Sequence, residues 1–208
     1  SMALRQPGST FKLITYLAAL EQGLKPNDSL DCTPLRWGGQ RFASTCSGQL
    51  TLANAFASSH NTAALRLAQR VGLDQVVSLA KRLGISTPLN PVPGLALGQS
   101  EVRLIELTSA YAAVANGGIW QPPTTIRRMV DAETCRLDRP SACGSLNEGG
   151  GAGSSERSSQ RLASRRVLKK QTALQMQGLL RAVIRSGTGR AASLGQQEGG
   201  KTGTTNDG

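Results

Sequence analysis

The chain has 208 residues, enough for one substantial core, and 38 % of them are apolar but only 3 % aromatic, so that core must be built from Leu, Ala, Val and Ile. The scarcity of aromatics argues against a base-stacking platform, and no nucleic-acid partner is expected. The formal charge of +11 is concentrated between Arg157 and Arg190, where basic residues occur without an acid; this reads as a solvated basic face or as a surface for anionic lipid or an acidic polymer.

In chain order, "GSTFKLITYLAALEQG" predicts a helix that starts near Ser9, after the Pro7-Gly8 entry turn, and is closed by Gly23. Phe11, Ile14, Leu17, Ala18 and Leu20 give it a broad apolar face. Residues 24–49 read as loop, with Pro26, Asn27, Pro34, Gly38, Gly39 and Gly48 as breakers. "TLANAFASSHNTAALRLAQRVG" is helical on either side of the polar interruption Ser58-Ser59-His60-Asn61, whose side chains compete for backbone hydrogen bonds. "DQVVSLAKRLG" predicts a short helix with Asp74 as N-cap and Gly84 past its end. A rigid loop marked by Pro88, Pro91, Pro93 and Gly94 follows, then a long apolar helix capped by Ser100 and stopped at Asn116-Gly117-Gly118.

"TTIRRMVD" is expected to be a strand, and residues 133–166, rich in Gly and Ser, a mobile insertion. "KKQTALQMQGLLRAVIRSG" returns to helix, with Leu174, Met176, Leu179, Leu180, Val183 and Ile184 inward. The closing "GGKTGTT" has extended character and predicts a strand. No stretch approaches the ~18 consecutive apolar residues of a membrane span, so the chain is read as soluble or as a piece whose anchor lies elsewhere. Cys32, Cys46, Cys135 and Cys143 have no C-x-x-C spacing, and with a single histidine no metal site is expected. Cys32 with Cys46, and Cys135 with Cys143, are each close enough in sequence to pair; free thiols fit the sequence equally well.

Gly195, Gly200, Lys201 and Thr202 satisfy the phosphate-loop spacing G-x-x-x-x-G-K-[ST]. That loop must leave an apolar strand and enter a helix, whereas here "SGTGRAASL" precedes it and "GTTNDG" follows, so nucleotide binding is rejected. A second reading fits better. Ser9-Thr10-Phe11-Lys12 is an S-x-x-K tetrad at a helix start, and a three-residue step puts Lys12 within reach of the Ser9 hydroxyl. A serine hydroxyl is a weak nucleophile and needs a base; a lysine serves if burial and positive neighbours lower its pKa. Ser59-His60-Asn61 offers a hydroxyl to relay a proton and an amide to hold a substrate amide, while His60 between them needs no role. Lys201-Thr202-Gly203 offers a cation, a hydroxyl and room for a substrate backbone, and the Thr204 N–H could complete an oxyanion hole with that of Ser9.

With these motifs, "RQPGSTFK", "SSHNTAALRLAQRVG", "LALGQSEVRLIELTSAYAAVANGG" and "RSGTGRAASLGQQEGGKTGTTND" resemble the transpeptidase domain of penicillin-binding proteins, most closely the bifunctional class A enzymes with a glycosyltransferase domain upstream. The resemblance implies an α+β fold, here mostly its helical part plus the K-T-G strand, and the location of such enzymes: the bacterial cell envelope, outside the plasma membrane. It implies that Ser9 is acylated by a peptidoglycan stem peptide ending in D-Ala-D-Ala, with Lys12 as leading candidate base and Ser59 and Asn61 beside it. Lys201, Thr202 and Thr204 would receive the donor's terminal carboxylate, Gly203 would let the substrate backbone lie close, an amine of a second stem peptide would complete the cross-link, and penicillins would trap Ser9. No cofactor is implied. The family's sheet has strands before S-x-x-K and after K-T-G, so the chain is expected to be a fragment of residues 1–208, truncated at both ends and inactive alone. D,D-carboxypeptidases and serine β-lactamases share the motifs, and a basic cell-wall-binding module is the non-enzymatic alternative.

Overall fold

The computed structural model describes residues 3–46, 48–124 and 164–205. Among them lie helices α1 (Lys12–Glu21), α2 (Leu52–Ala57), α3 (Asn61–Val71), α4 (Leu73–Arg82), α5 (Leu104–Ala115) and α6 (Lys170–Ser186). Short strands pair two by two: β1 (Leu4–Arg5) with β6 (Val102–Arg103), β2 (Ser29–Asp31) with β5 (Gln49–Thr51), β3 (Leu35–Trp37) with β4 (Gln40–Phe42), and β7 (Ile119–Trp120) with β8 (Arg165–Arg166). All four pairs are antiparallel. Helices in one mass with small ladders at its edge place the chain in the α+β class.

Helix α1 is the axis of the core. Every residue from Lys12 to Leu20 is buried, because α3, α4 and α6 pack around it. The sequence predicts one apolar face; enclosure on all sides also buries Thr15 and Tyr16, as expected of a helix that neighbours cover all round. The Tyr16 and Phe56 rings meet edge-on, with centroids 4.8 Å apart, and join α1 to α2. Burying side chains the size of Phe11, Leu13 and Leu17 stabilises by about 1.5–3 kcal/mol each. Along α6 the buried positions Thr172, Ala173, Met176, Leu179, Leu180, Val183 and Ile184 follow helical spacing. Leu174 lies off that stripe and is 50 % exposed, against expectation.

Residues 24–49 are more ordered than the loop expected of them. Gly38 and Gly39, both at positive φ, close the two-residue turn of the β3–β4 hairpin, in which Trp37 faces Gln40. Cys32 and Cys46 form a disulfide that brackets this hairpin, deciding between the two states left open by the sequence. The hairpin's Leu35 packs with Leu65, Ala68 and Ala96, and the Thr62 hydroxyl donates to the Cys32 carbonyl at 2.7 Å, tying the bracket to α3 beside Asn61.

Two helix starts also differ. Gly72, with φ 93°, precedes Leu73 as the cap of α4, so Asp74 sits inside the first turn instead. Ser100 does not cap α5; Val102–Arg103 are held as a strand by Leu4–Arg5, and the helix waits until Leu104. Apart from Thr124, the expected strand "TTIRRMVD" falls outside the described residues, as do Cys135, Cys143 and the expected insertion up to residue 163. Its last residues, Arg165–Arg166, pair with β7, and the Arg165 guanidinium lies 4.7 Å from the centre of the Trp120 ring. The expected closing strand is not formed: Lys201–Thr205 runs without a ladder. Among the described residues no helix is long and apolar enough to cross a membrane, and no cluster of His, Cys, Asp or Glu is placed to hold a metal ion.

Candidate active site

Ser9 stands in a 3-10 turn, Gly8–Phe11, that leads directly into α1. In such a turn residues three apart eclipse one another, so Ser9 and Lys12 share an edge. The turn is clamped through its backbone. Gly8 N–H donates to the Gly98 carbonyl at 3.2 Å, and a side chain at Gly98 would run into the Gly8 backbone. A side chain at Gly8, whose φ is 54°, would strike the Thr204 carbonyl. The Tyr111 hydroxyl, from α5, donates to the Thr10 carbonyl at 2.8 Å.

The second segment is the junction of α2 and α3. His60 N–H donates to the Ala55 carbonyl and Ser59 N–H to that of Phe56, the paired bonds of a Schellman cap. That cap wants glycine in the left-handed position, yet Ser59 occupies it with φ 58°, alone among the described non-glycine residues. The conformation costs about 1–2 kcal/mol for an L-residue. It turns both oxygens of Ser59 towards α1. Lys12 Nζ donates to Ser59 O at 2.7 Å, to Asn61 Oδ1 at 2.6 Å and, more weakly, to Ser59 Oγ at 3.3 Å.

Lys201 completes the cluster. Its Nζ donates to Ser59 Oγ at 2.8 Å and to the Thr202 carbonyl at 2.9 Å, and lies 5.8 Å from the centre of the Phe56 ring. The Ser59 hydroxyl thus bridges two amines. Burial lowers the Lys12 pKa to about 7, helped by the charge of Lys201, and burial alone lowers Lys201 to about 8. Near neutrality a large share of Lys12 is therefore an amine able to accept a proton.

The structure thus gathers Lys12, Ser59, Asn61 and Lys201 by direct hydrogen bonds, with Ser9 one turn below. The expected Ser9–Lys12 hydrogen bond is not formed: the Lys12 donors go to Ser59 and Asn61, and the Ser9 hydroxyl has no hydrogen bond to a described residue. Thr202 Oγ1 meets Thr188 Oγ1 at 2.6 Å. At Gly203 the missing side chain serves the protein, since a Cβ would sit 2.8 Å from Thr10 Cγ2 and 3.1 Å from the Pro7 carbonyl oxygen. The sequence reading missed Tyr111, Phe56 and Thr188. A tyrosine in an otherwise apolar helix, and a threonine between two glycines after a helix end, were the available signals.

A serine at a helix start, one turn ahead of the first of two amines joined by a hydroxyl, matches the layout of a lysine-assisted serine acyltransferase. The family model of the penicillin binding protein transpeptidase domain matches residues 3–208, and the chain belongs to that family. Penicillin-binding protein 1A of Rickettsia typhi is 34 % identical over 222 residues, covering 100 % of this chain but 28 % of the relative. That of Aquifex aeolicus is 34 % identical over 217 residues, covering 99 % and 27 %. Among solved structures, penicillin-binding protein 1A of Haemophilus influenzae superposes with a TM-score of 0.79 at 27 % identity, over 99 % of this chain and 35 % of that one. PonA1 of Mycobacterium tuberculosis, in complex with penicillin V, gives 0.69 at 25 % identity, over 88 % and 48 %. The chain therefore spans little more than a quarter of the curated relatives' length.

Proposed function

We propose that this chain carries the acyl-transfer site of a D,D-transpeptidase that cross-links peptidoglycan stem peptides, and that β-lactams acylate the same serine. The Ser9 oxygen attacks the penultimate D-Ala carbonyl, and neutral Lys12 accepts the hydroxyl proton. The Ser59 hydroxyl, between Lys12 and Lys201, passes a proton to the departing D-Ala amine, leaving an ester on Ser9. An amine of a second stem peptide then displaces Ser9, which regains a proton. Asn61 orients Lys12 and faces the substrate amide, while Lys201, Thr202 and Thr204 receive the donor's carboxylate. The N–H groups of Ser9 and Thr204 make no hydrogen bond with the described residues, which suits them to a developing oxyanion.

The observation that carries this reading is Ser59 Oγ held between the half-buried amine of Lys201, at 2.8 Å, and the buried amine of Lys12, at 3.3 Å. The Cys32–Cys46 bond suits the extracytoplasmic side of a bacterial envelope, where oxidation persists. A glycosyltransferase activity in the whole protein rests on the likeness to class A enzymes. Glu106, the buried carboxylate of α5, is held by Ser86, Thr87 and Arg103 and is not free to activate water, which favours a lasting acyl-enzyme over β-lactamase turnover. Labelling by a fluorescent penicillin tests the proposal on this chain and on a form extended at both ends. The extended form should label, its Ser9→Ala variant should not, and the chain alone should label poorly. An unlabelled extended form, or an equally labelled Ser9→Ala variant, overturns it; equal labelling of the short chain removes only the expectation that it is inactive alone.

A further inference from the structure

Between α6 and Lys201 stands a hydroxyl to which the acyl-transfer scheme gives no task. Helix α6 ends at Ser186, and Gly187 follows because the Ala57 backbone occupies the place of its side chain. The Ala57 carbonyl accepts the Thr188 N–H at 3.0 Å, so Thr188 is fastened to the end of α2, two residues ahead of Ser59. On its other side Thr188 Oγ1 lies 2.6 Å from Thr202 Oγ1. Lys201 Nζ grips the Thr202 carbonyl at 2.9 Å. Both threonines are exposed, so the pair does not serve to fill a core.

Two hydroxyls in contact share one hydrogen; one donates, and the other keeps its own for a third partner. If Thr202 donated, the Thr188 hydrogen would have, among the described residues, only the Ala57 carbonyl, 3.5 Å away and already bonded to Thr188 N–H. That distance is too long for a good bond. With Thr188 as donor the pair is satisfied within the protein, and the Thr202 hydrogen is free, on a residue whose carbonyl the Lys201 ammonium holds. A hydroxyl hydrogen next to an ammonium is a receiver for a carboxylate.

We propose that Thr188 is a positioning residue, which donates to Thr202 Oγ1 and so holds the Thr202 hydroxyl as a donor towards a ligand carboxylate beside Lys201. The inference rests on the acyl-transfer reading of the site, and its test separates the two. In the full-length protein, second-order acylation rates are measured with benzylpenicillin and with its methyl ester, which lacks the anion. No acylation of the wild type by either ligand would sink the acyl-transfer reading itself. Given a reactive wild type, Thr188→Val should slow the free acid about tenfold and leave the ester within about twofold, while Thr188→Ser restores the free-acid rate. A purely structural role would slow both ligands alike. Equal losses, no loss, or a Ser variant as slow as Val each overturn the proposal. Should Thr188→Val lose its cooperative melt, Thr188→Ala set against Thr188→Ser makes the same comparison, and each outcome counts for or against the proposal as it does for Val.

Discussion

Lys12 and Glu106 are charged side chains enclosed by the described core, one at the start of α1 and one in the first turn of α5, and they are treated in opposite ways. Burial works against ionisation of Glu106, but donors overcome it: Ser86 Oγ at 2.6 Å, Thr87 Oγ1 at 2.8 Å and Arg103 Nη1 at 3.0 Å hold the carboxyl below its usual range. A charge so surrounded is a fixed strut between α5 and the end of α4. Among the described residues Lys12 has no carboxylate beside it. Its partners are neutral oxygens of Ser59 and Asn61, and the charge acting on it is the like charge of Lys201. The lesson lies in the company each group keeps: a counter-ion fixes the ionised state, and its absence leaves the proton available.

The largest expected effect falls on Lys12. In the extended protein, Lys12→Met should lower penicillin acylation by about a thousandfold or more, because members of a catalytic unit fail together. Its unfolding free energy should hold or rise, since a buried charge is removed. Glu106→Gln should do the reverse, losing about 2 kcal/mol in urea denaturation with acylation within about twofold, because it weakens charge-assisted bonds to Ser86, Thr87 and Arg103, none of which bonds to Lys12, Ser59 or Lys201. Acylation loss in Glu106→Gln, or collapse of the Lys12→Met fold, would erase the contrast.

A smaller effect sharpens it through pH. Lys12 at about 7 should give acylation an acid limb that rises through that pH and then levels. Replacing the positive neighbour, as in Lys201→Met, should move the limb to higher pH, and a limb that stays in place would show that burial acts alone. Stability follows the same sign. The folded pKa lies below the unfolded value near 10.5, so the unfolded chain binds more protons between about 7 and 10.5, and stability should rise with pH across that window. Denaturant midpoints taken near either end of the window check it in the wild type and in Lys12→Met, where the rise should shrink.

Helices were the legible part of this sequence, since apolar spacing marked α1, α3, α4, α5 and α6, and glycines marked several of their ends. The β3–β4 hairpin was less so: three-residue strands are too short to show alternation, although Gly38-Gly39 between Trp37 and Gln40 was a turn signal in plain view. The starts of α4 and α5 were misread because propensity for a cap yields to tertiary pairing, as when Leu4–Arg5 claims Val102–Arg103. The motifs named Ser9, Lys12, Ser59, Asn61 and Lys201, but spacing along the chain could not say that Lys12 reaches Ser59 and Asn61 in preference to Ser9. Nor could it show that a serine stands where the cap of α2 asks for glycine, a local cost that only contacts with Lys12 and Lys201 explain.

The press of Gly98 on Gly8, and of Gly8 on Thr204, also limits how this protein can vary from one generation to the next. A saturation library selected for folded protein should show two nearly blank columns, at positions 8 and 98. Tolerated substitutions should gather instead at rim residues such as Ser58, whose side chain is exposed, and leave the floor beneath Ser9 unaltered.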